Sequence, residues 1–498
     1  MVDSHALSDR IEARKSQLIE VLRDLLRFET VSGVTDAVAI ETFERETRRC
    51  LDYLRDFAHR HGLEYREHPA GVAVIDWGEG DEVIGFPTHT DVVPPGERWH
   101  QPPFEGVVKD GVVYGRGTQD DKGPMACGMI GLLAIRDLGR PTRRTLRLIF
   151  GTREEPGDWT DVAGYLEDEP APLHCIVPDA TFPITNGEKG MATVQLTPPR
   201  VAPLERKDGL RLDFVRAGER FNIVPDRAVV RFSGPNALRQ ELFHELTVEL
   251  EAYEKSRLIM LDEPLQFHDA PNEEGRWAAT LTFLGKSAHG SRPEEGHNAA
   301  IDALGFLVRL GFPKTPVADF VGFCYCGGKD LVGEYLGVDH FHDFIGLTSS
   351  SLNIFKLAPH AGHAQFNIRF PLGLTSRQLI ERLRKKIAER IPEADRQPAA
   401  EFEGIVHEPL FVDPETYPEF FAAMEEAFET VAGRPARRRA TGGTTYAKAF
   451  PRAVSFGPTD EEAGERDMAH KADECVSIDA LVRNAKIYAH ALAALCLA

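Results

Sequence analysis

FPTHTDVVPPG (86–96) and YGRGTQDDKG (114–123), with the apolar run PMACGMIGLLAIRDL (124–138) directly behind them, decide how this chain folds. The first segment ends a strand in a histidine and an aspartate. The second is a glycine-flanked acidic turn, and the third is apolar on nearly every face, so a buried helix is expected to start at the charged turn. Chemistry and core share one joint. Upstream, Val72 to Asp76 and Val83 to Phe86 read as strands, and downstream Thr145 to Phe150 and Cys175 to Val177 do the same. Three of them are followed by acids or a histidine: His89, then Glu154 and Glu155, then Asp179. Strands alternating with helices imply a mixed, mostly parallel sheet in an α/β unit, and ligands gather outside the C-terminal ends of such strands.

Helical periodicity covers Asp9 to Phe28 and Ala39 to His61, and returns at Thr416 to Ala432 and Ser477 to Leu495 around a strand at Ala453 to Phe456. Between these lies a stretch of Pro-, Arg- and Thr-rich strands. The expectation is a discontinuous domain of 1–190 and 407–498 interrupted by an α+β domain of 191–406. A chain of 498 residues exceeds one hydrophobic core, which agrees with that division.

With 58 basic and 78 acidic side chains, a formal charge of −20 argues against a nucleic-acid or anionic-membrane partner. No apolar run approaches the ~20 residues of a membrane span, and the N-terminus has no apolar signal core. Seven scattered cysteines form neither a disulfide framework nor a zinc-ribbon spacing, so a reducing, cytoplasmic setting is expected. Cys324, Tyr325 and Cys326 read as a strand with both thiols on one side.

The candidate site is assembled from residue types. In an extended HxD, His89 offers a ring nitrogen to a metal while Asp91 steadies the ring. Asp120 can offer two oxygens to two cations; Asp121 is an alternative ligand, or both cap the following helix. Two adjacent glutamates after a buried strand call for a cation or a shared proton. His89, Asp120, Glu155, Asp179 and His470 give two imidazoles, three carboxylates and no thiolate, a set suited to two divalent ions, zinc foremost and manganese or cobalt as alternatives. Such a pair lowers the pKa of water to make a bridging hydroxide, and Glu154, left free, is the candidate general base.

HTDVVPPG, GRGTQDDKGP, GTREEPG, PDATFPITNGEKG, GGTTYAKA and HKADE, in that order, resemble the dizinc metallopeptidase and amidohydrolase family that includes PepV-type dipeptidases, carnosinases, aminoacylase-1 and succinyl-diaminopimelate desuccinylase. The likeness is closest to the PepV branch. It implies one metal on His89, Asp120 and Asp179 and the other on Asp120, Glu155 and His470, with a cis peptide between Asp120 and Asp121. It further implies a lid whose His289 and Asn222 stabilise the oxyanion and whose Arg369 captures a substrate carboxylate, with Gly442 and Gly443 along the substrate backbone. A long lid of this kind resembles members that work as monomers. The expected activity is metal-dependent hydrolysis of a small amide, foremost a dipeptide with a free C-terminal carboxylate. An N-acyl amino acid amidohydrolase or desuccinylase is the rival within the class, and an inactive small-molecule binder the rival outside it. Two residues depart from the branch beside the base: Arg153 stands where an acid is common, and Pro156 replaces a small polar residue.

Overall fold

The computed structural model describes residues 4–257, 260–261, 266–268 and 275–498. The chain divides into two compact units, Met1–Glu188 with Leu410–Ala498, and Lys189–Pro409.

In the first unit a mixed sheet runs in the order Glu64–His68, Val72–Trp77, Thr145–Gly151, Val83–His89, His174–Val177, Ala453–Ser455, Ile184–Glu188, Leu410–Phe411, with Arg438–Thr441 also paired to Ile184–Glu188. The four strands from Thr145–Gly151 to Ala453–Ser455 are mutually parallel. Antiparallel pairings flank this parallel centre on both sides. The central strands are buried along nearly their whole length, as helix-covered parallel strands must be.

Pro87 lies inside a central strand, where a missing N–H would ordinarily break the ladder. It is tolerated because alternate residues of a parallel strand direct their N–H to the same side. Pro87 shares its side with His89, whose N–H leaves the ladder for Asp121 Oδ2 at 3.2 Å, and pairing with His174–Val177 has already ended at Gly85. The strand is released from one neighbour just where it delivers the histidine.

Helix Lys122–Arg136 is buried from Lys122 to Ile135 and packs against the equally apolar Ile478–Cys496. Its first turn lies so close to the preceding loop that a Cβ on Gly123 would collide with the Thr118 carbonyl. The N-terminal periodic stretch is two helices, Ser4–Ala13 and Lys15–Leu26, rather than one. Arg14 leaves helical geometry between them, and its guanidinium reaches Asp137 at the far end of the buried helix. Neither glycine nor proline marks that break.

The His174 ring stacks on Phe420, with centroids 4.4 Å apart and planes within 9°. Burial, then the Arg452 and Arg144 cations, lower its pKa to about 4. Between that value and the ordinary ~6.5 the unfolded chain binds a proton that the folded chain refuses, so this contribution is complete above the window and lost as pH falls through it. His174→Phe is therefore expected to flatten the loss of stability from pH 7 to pH 5 in urea unfolding. An unchanged slope would show that His174 is not its source.

The second unit is built on an antiparallel sheet in the order Met260–Leu261, Trp277–Leu284, Arg227–Gly234, Arg211–Ala217, Ser349–Ala358, Ala361–Phe370, Gly190–Thr197, Ala399–Phe402. Helices Arg239–Arg257, Ala299–Arg309, Pro316–Lys329 and Ser376–Arg390 pack apolar faces on it, forming a core with Leu246, Leu304, Phe320 and Leu383 against Phe232, Phe283 and Phe355. Cys324 and Cys326 belong to helix Pro316–Lys329, not to a strand, and only Cys324 is buried. The reason is local: Thr315 caps Ala318 N–H and Pro316 opens the first turn, so a helix is already under way when the short Cys-Tyr-Cys alternation is reached.

Candidate active site

His89 ends its strand, Glu154 and Glu155 follow the Thr145–Gly151 strand, and Asp179 follows His174–Val177. Parallel pairing therefore delivers all of them to one edge of the sheet. Asp120 arrives on the loop before the buried helix, and the Asp120–Asp121 peptide is cis. His470 comes from the loop after the last central strand, with a left-handed φ of 63°.

These side chains converge. Asp120 Oδ1 lies 2.9 Å from His89 Nε2, and its Oδ2 lies 2.9 Å from His470 Nε2. His470 Nε2 is also 3.1 Å from Glu155 Oε2. Donor atoms of His89, Asp120 and Glu155 lie within 4.8 Å of one another, as do those of His89, Glu154 and Asp179. Glu154 thus stands beside the cluster, close enough either to ligate or to exchange a proton with what the cluster holds.

Asp91 does more than steady His89. The His89 ring donates from Nδ1 to the Asp91 carbonyl at 2.9 Å, while the buried Asp91 carboxylate accepts from Ser32 Oγ at 2.8 Å and from the N–H groups of Glu154 and Glu155 at 3.1 Å each. One carboxylate therefore fixes the turn carrying both glutamates. Asp121 does not cap the helix with its side chain; its Oδ2 receives the His89 N–H. Arg153 is engaged within the same turn by Asp158, with Nε donating to Oδ1 at 3.1 Å, so it is tied to a neighbour rather than to Glu154.

The electrostatics follow from crowding. Loss of solvent, then the Asp179 charge, raises the pKa of Glu154 well above the carboxylate range. Loss of solvent and Asp120 do the same for Asp179, and raise Glu155 less strongly. Asp120 shifts the other way: solvent loss is overcome by its bonds to His470 and His89, and the acid is held ionised. In His89 burial opposes protonation, but Asp120 and Asp91 override it and raise the pKa well above the ordinary value. Buried carboxylates that resist ionisation together, interleaved with two imidazoles, form a donor set suited to binding cations. Nitrogen and oxygen donors without thiolate fit divalent ions of the zinc, manganese and cobalt kind.

The remaining candidates are placed as follows. Gly442 and Gly443 follow strand Arg438–Thr441, and the Gly443 N–H donates to Thr441 Oγ1 at 3.0 Å. In the second unit His289 is exposed and bridges Ile223, the residue after Asn222; the Asn222 carbonyl accepts the Gly290 N–H at 2.7 Å. Arg369 is buried near the end of strand Ala361–Phe370, where its Nε donates to Asn367 Oδ1 at 3.0 Å.

Three supporting residues escaped the sequence reading. Asp161 Oδ2 accepts the N–H of Thr152 at 2.6 Å and of Arg153 at 3.1 Å, together with the hydroxyl of the buried Tyr446 at 2.7 Å. The Tyr446 ring packs over Gly151, where any Cβ would collide with it. Glu474, four residues after His470, is buried against the loop that carries Asp120. The signals GGTTYAKA and HKADE contain Tyr446 and Glu474, but nothing local says what they touch. Tyr446→Phe is expected to cost about 1–2 kcal/mol, the loss of one bond to a buried carboxylate, read as a shift of the denaturation midpoint; a midpoint equal to that of the parent would contradict it.

The model of Peptidase family M20/M25/M40 matches residues 85–494. The Bacillus subtilis (strain 168) protein named "Putative dipeptidase YtjP" is 30% identical over 482 residues, covering 96% of this chain and 97% of that protein. A Staphylococcus aureus (strain MRSA252) protein, also named a "Putative dipeptidase", is 28% identical over 491 residues, covering 98% and 99%. Among solved structures the fold is similar to human carnosine dipeptidase 1, with a TM-score of 0.59 at 15% identity and 99% of each chain covered. It is also similar to the Saccharomyces cerevisiae di-peptidase Dug1p, with a TM-score of 0.57 at 15% identity, covering 99% of this chain and 98% of that one. With a family match across most of its length and relatives alike from end to end, the chain belongs to peptidase family M20/M25/M40.

Proposed function

We propose that this protein is a metal-dependent dipeptidase acting on small peptides with a free C-terminal carboxylate. The observation that carries the reading is the clustering of His89, His470 and Glu155 about Asp120, with Asp179 and Glu154 beside His89. The names of the relatives similar over their whole length support the dipeptide.

His89, Asp120 and Asp179 would hold one ion, and Asp120, Glu155 and His470 the other, zinc foremost. When bound, the pair would acidify a water molecule and polarise the scissile carbonyl. The chain's own groups do the rest. Glu154, whose surroundings raise its proton affinity, receives the proton of the attacking water and returns it to the leaving amine. Asp91 keeps the His89 ring oriented and the Glu154 turn fixed. From the unit Lys189–Pro409, His289 and Asn222 would meet the developing oxyanion, and the planar fork of Arg369 would receive the substrate carboxylate. Gly442 and Gly443 present backbone rather than side chain to the peptide.

The long insertion supports a self-sufficient monomer, and seven free thiols support a reducing, cytoplasmic setting. Among the described residues no helix is long and apolar enough to cross a membrane.

The deciding experiment is a panel of free dipeptides and N-acyl amino acids offered to the purified chain loaded separately with zinc, manganese and cobalt. Free dipeptides are expected to be hydrolysed with the higher kcat/KM under at least one metal. A consistent preference for N-acyl amino acids would replace the dipeptidase reading with an amidohydrolase.

A further inference from the structure

Asp120 and His470 share the metal position that also includes Glu155, yet they come from two irregular loops far apart in sequence. What fixes their separation is a reciprocal set of hydrogen bonds. Glu474, fully buried, spreads its carboxylate under the Asp120 loop: Oε2 accepts from Arg116 Nη1 at 2.7 Å and the Gly117 N–H at 3.0 Å, and Oε1 accepts the N–H of Gln119 at 2.8 Å and of Asp120 at 3.2 Å. Gln119 reaches the opposite way. Its Oε1 accepts the Met468 N–H at 2.8 Å and the Thr459 hydroxyl at 3.3 Å, and its Nε2 donates to the carbonyls of Arg466 at 3.1 Å and Cys475 at 3.0 Å.

The Gln119 amide thereby uses two acceptor and two donor positions, its full capacity. Its four partners bracket the His470 loop at both ends. Glu474 is likewise fully used, and three of its four bonds go to backbone N–H groups of the Asp120 loop rather than to its buried counter-ion Arg116. A buried ion pair needed only for packing would be complete with Arg116. The strand pairing Cys475–Ser477 with Val112–Tyr114 continues the same seam, so each loop is held by a rigid edge as well as by the other loop.

We propose that Gln119 and Glu474 are a reciprocal pair of positioning residues that set the distance between Asp120 and His470, and so tune the affinity of the ion position these two share more than that of the other. Charge-assisted bonds to backbone make Glu474 a stiff template, and partners of this kind around metal ligands typically contribute 10–100-fold in metal affinity. The inference rests on the two-ion reading of the site.

The test uses the metal-free full chain and its Gln119→Ala and Glu474→Gln variants. Dissociation constants for zinc at both positions are measured by chelator competition, with the visible spectrum of the cobalt-loaded protein as an independent readout of coordination. Gln119→Ala is expected to weaken one ion position by about 10–100-fold, to leave the other near its parent value, to change the cobalt spectrum, and to keep the far-ultraviolet circular dichroism of the metal-free chain. Glu474→Gln, which turns an acceptor into a donor facing an N–H or Arg116, is expected to weaken the same position. Should Glu474→Gln fail to fold, Gln119→Ala decides alone. Parent affinities and an unchanged spectrum in a folded Gln119→Ala would overturn the interlock, as would equal weakening at both positions. A parent chain that binds fewer than two ions would instead overturn the reading of the centre itself.

Discussion

Replacing Glu154 by glutamine is expected to lower kcat for dipeptide hydrolysis by roughly 10²–10⁴-fold while metal content and KM stay close to those of the parent. Glutamine keeps the size of the side chain and leaves untouched the backbone N–H that Asp91 holds at 3.1 Å, so the turn has no cause to move. Only the capacity to take a proton is removed. The surroundings of Glu154 make that capacity large: it is buried, and the charge of Asp179 adds to the loss of solvent in favouring the protonated form. Its carboxylate lies within ligand distance of the His89 and Asp179 donors, the place the proposed base has to occupy. The geometry also supplies the contrary outcome. Because Glu154 lies within ligand distance of the His89 and Asp179 donors, a variant that loses an ion along with its activity would identify Glu154 as a ligand and move the role of base elsewhere.

Asp120→Ala is expected to be more damaging, taking metal content from about two ions per chain to less than one and kcat/KM down by at least roughly 1,000-fold, the several kcal/mol that an ion contributes by polarising a carbonyl. No other residue of the cluster offers one oxygen to each imidazole, 2.9 Å from His89 on one side and 2.9 Å from His470 on the other. Removing it also leaves two histidines without the carboxylate that holds both. Metal analysis after dialysis, paired with circular dichroism to establish that the chain is folded, gives the answer. Retention of two tightly held ions would mean that the bridge is made by another acid, with Asp121 the first to examine.

What could be read from the amino acids, and what could not, divides along physical lines. Short apolar runs ending in His89, Glu154–Glu155 and Asp179 announced both the central strands and the edge where chemistry gathers, because a buried parallel strand is uniformly apolar and its end is abruptly polar. The buried helix was legible for the same reason, shifted by two residues to Lys122–Arg136. The break at Arg14 was not, since no residue that breaks helices stands there and the partner of Arg14, Asp137, is distant in sequence. The Cys324–Cys326 alternation was too short to distinguish a strand from a helix, and the informative signal was the Thr315-Pro316 cap some residues earlier. Glu474, Gln119, Asp161 and Tyr446 show the deeper limit. Apart from the bonds of Asp161 to Thr152 and Arg153, their hydrogen bonds reach residues hundreds of positions away, and a side chain that accepts backbone N–H groups looks, in sequence, like any other polar residue.

The division of the first unit across the chain has a consequence for its synthesis. Strand Ala453–Ser455, the His470 loop and helix Ile478–Cys496, which packs on Lys122–Arg136, are all synthesised after Lys189–Pro409. Until they do, the sheet has an unpaired edge at His174–Val177 and the central helix has an uncovered apolar face, while Lys189–Pro409 already holds all of its own strands. The inserted unit can therefore complete its core on the nascent chain before the first unit receives its later elements. The cluster that draws on His470 is therefore completed only after the whole of Lys189–Pro409 has been made.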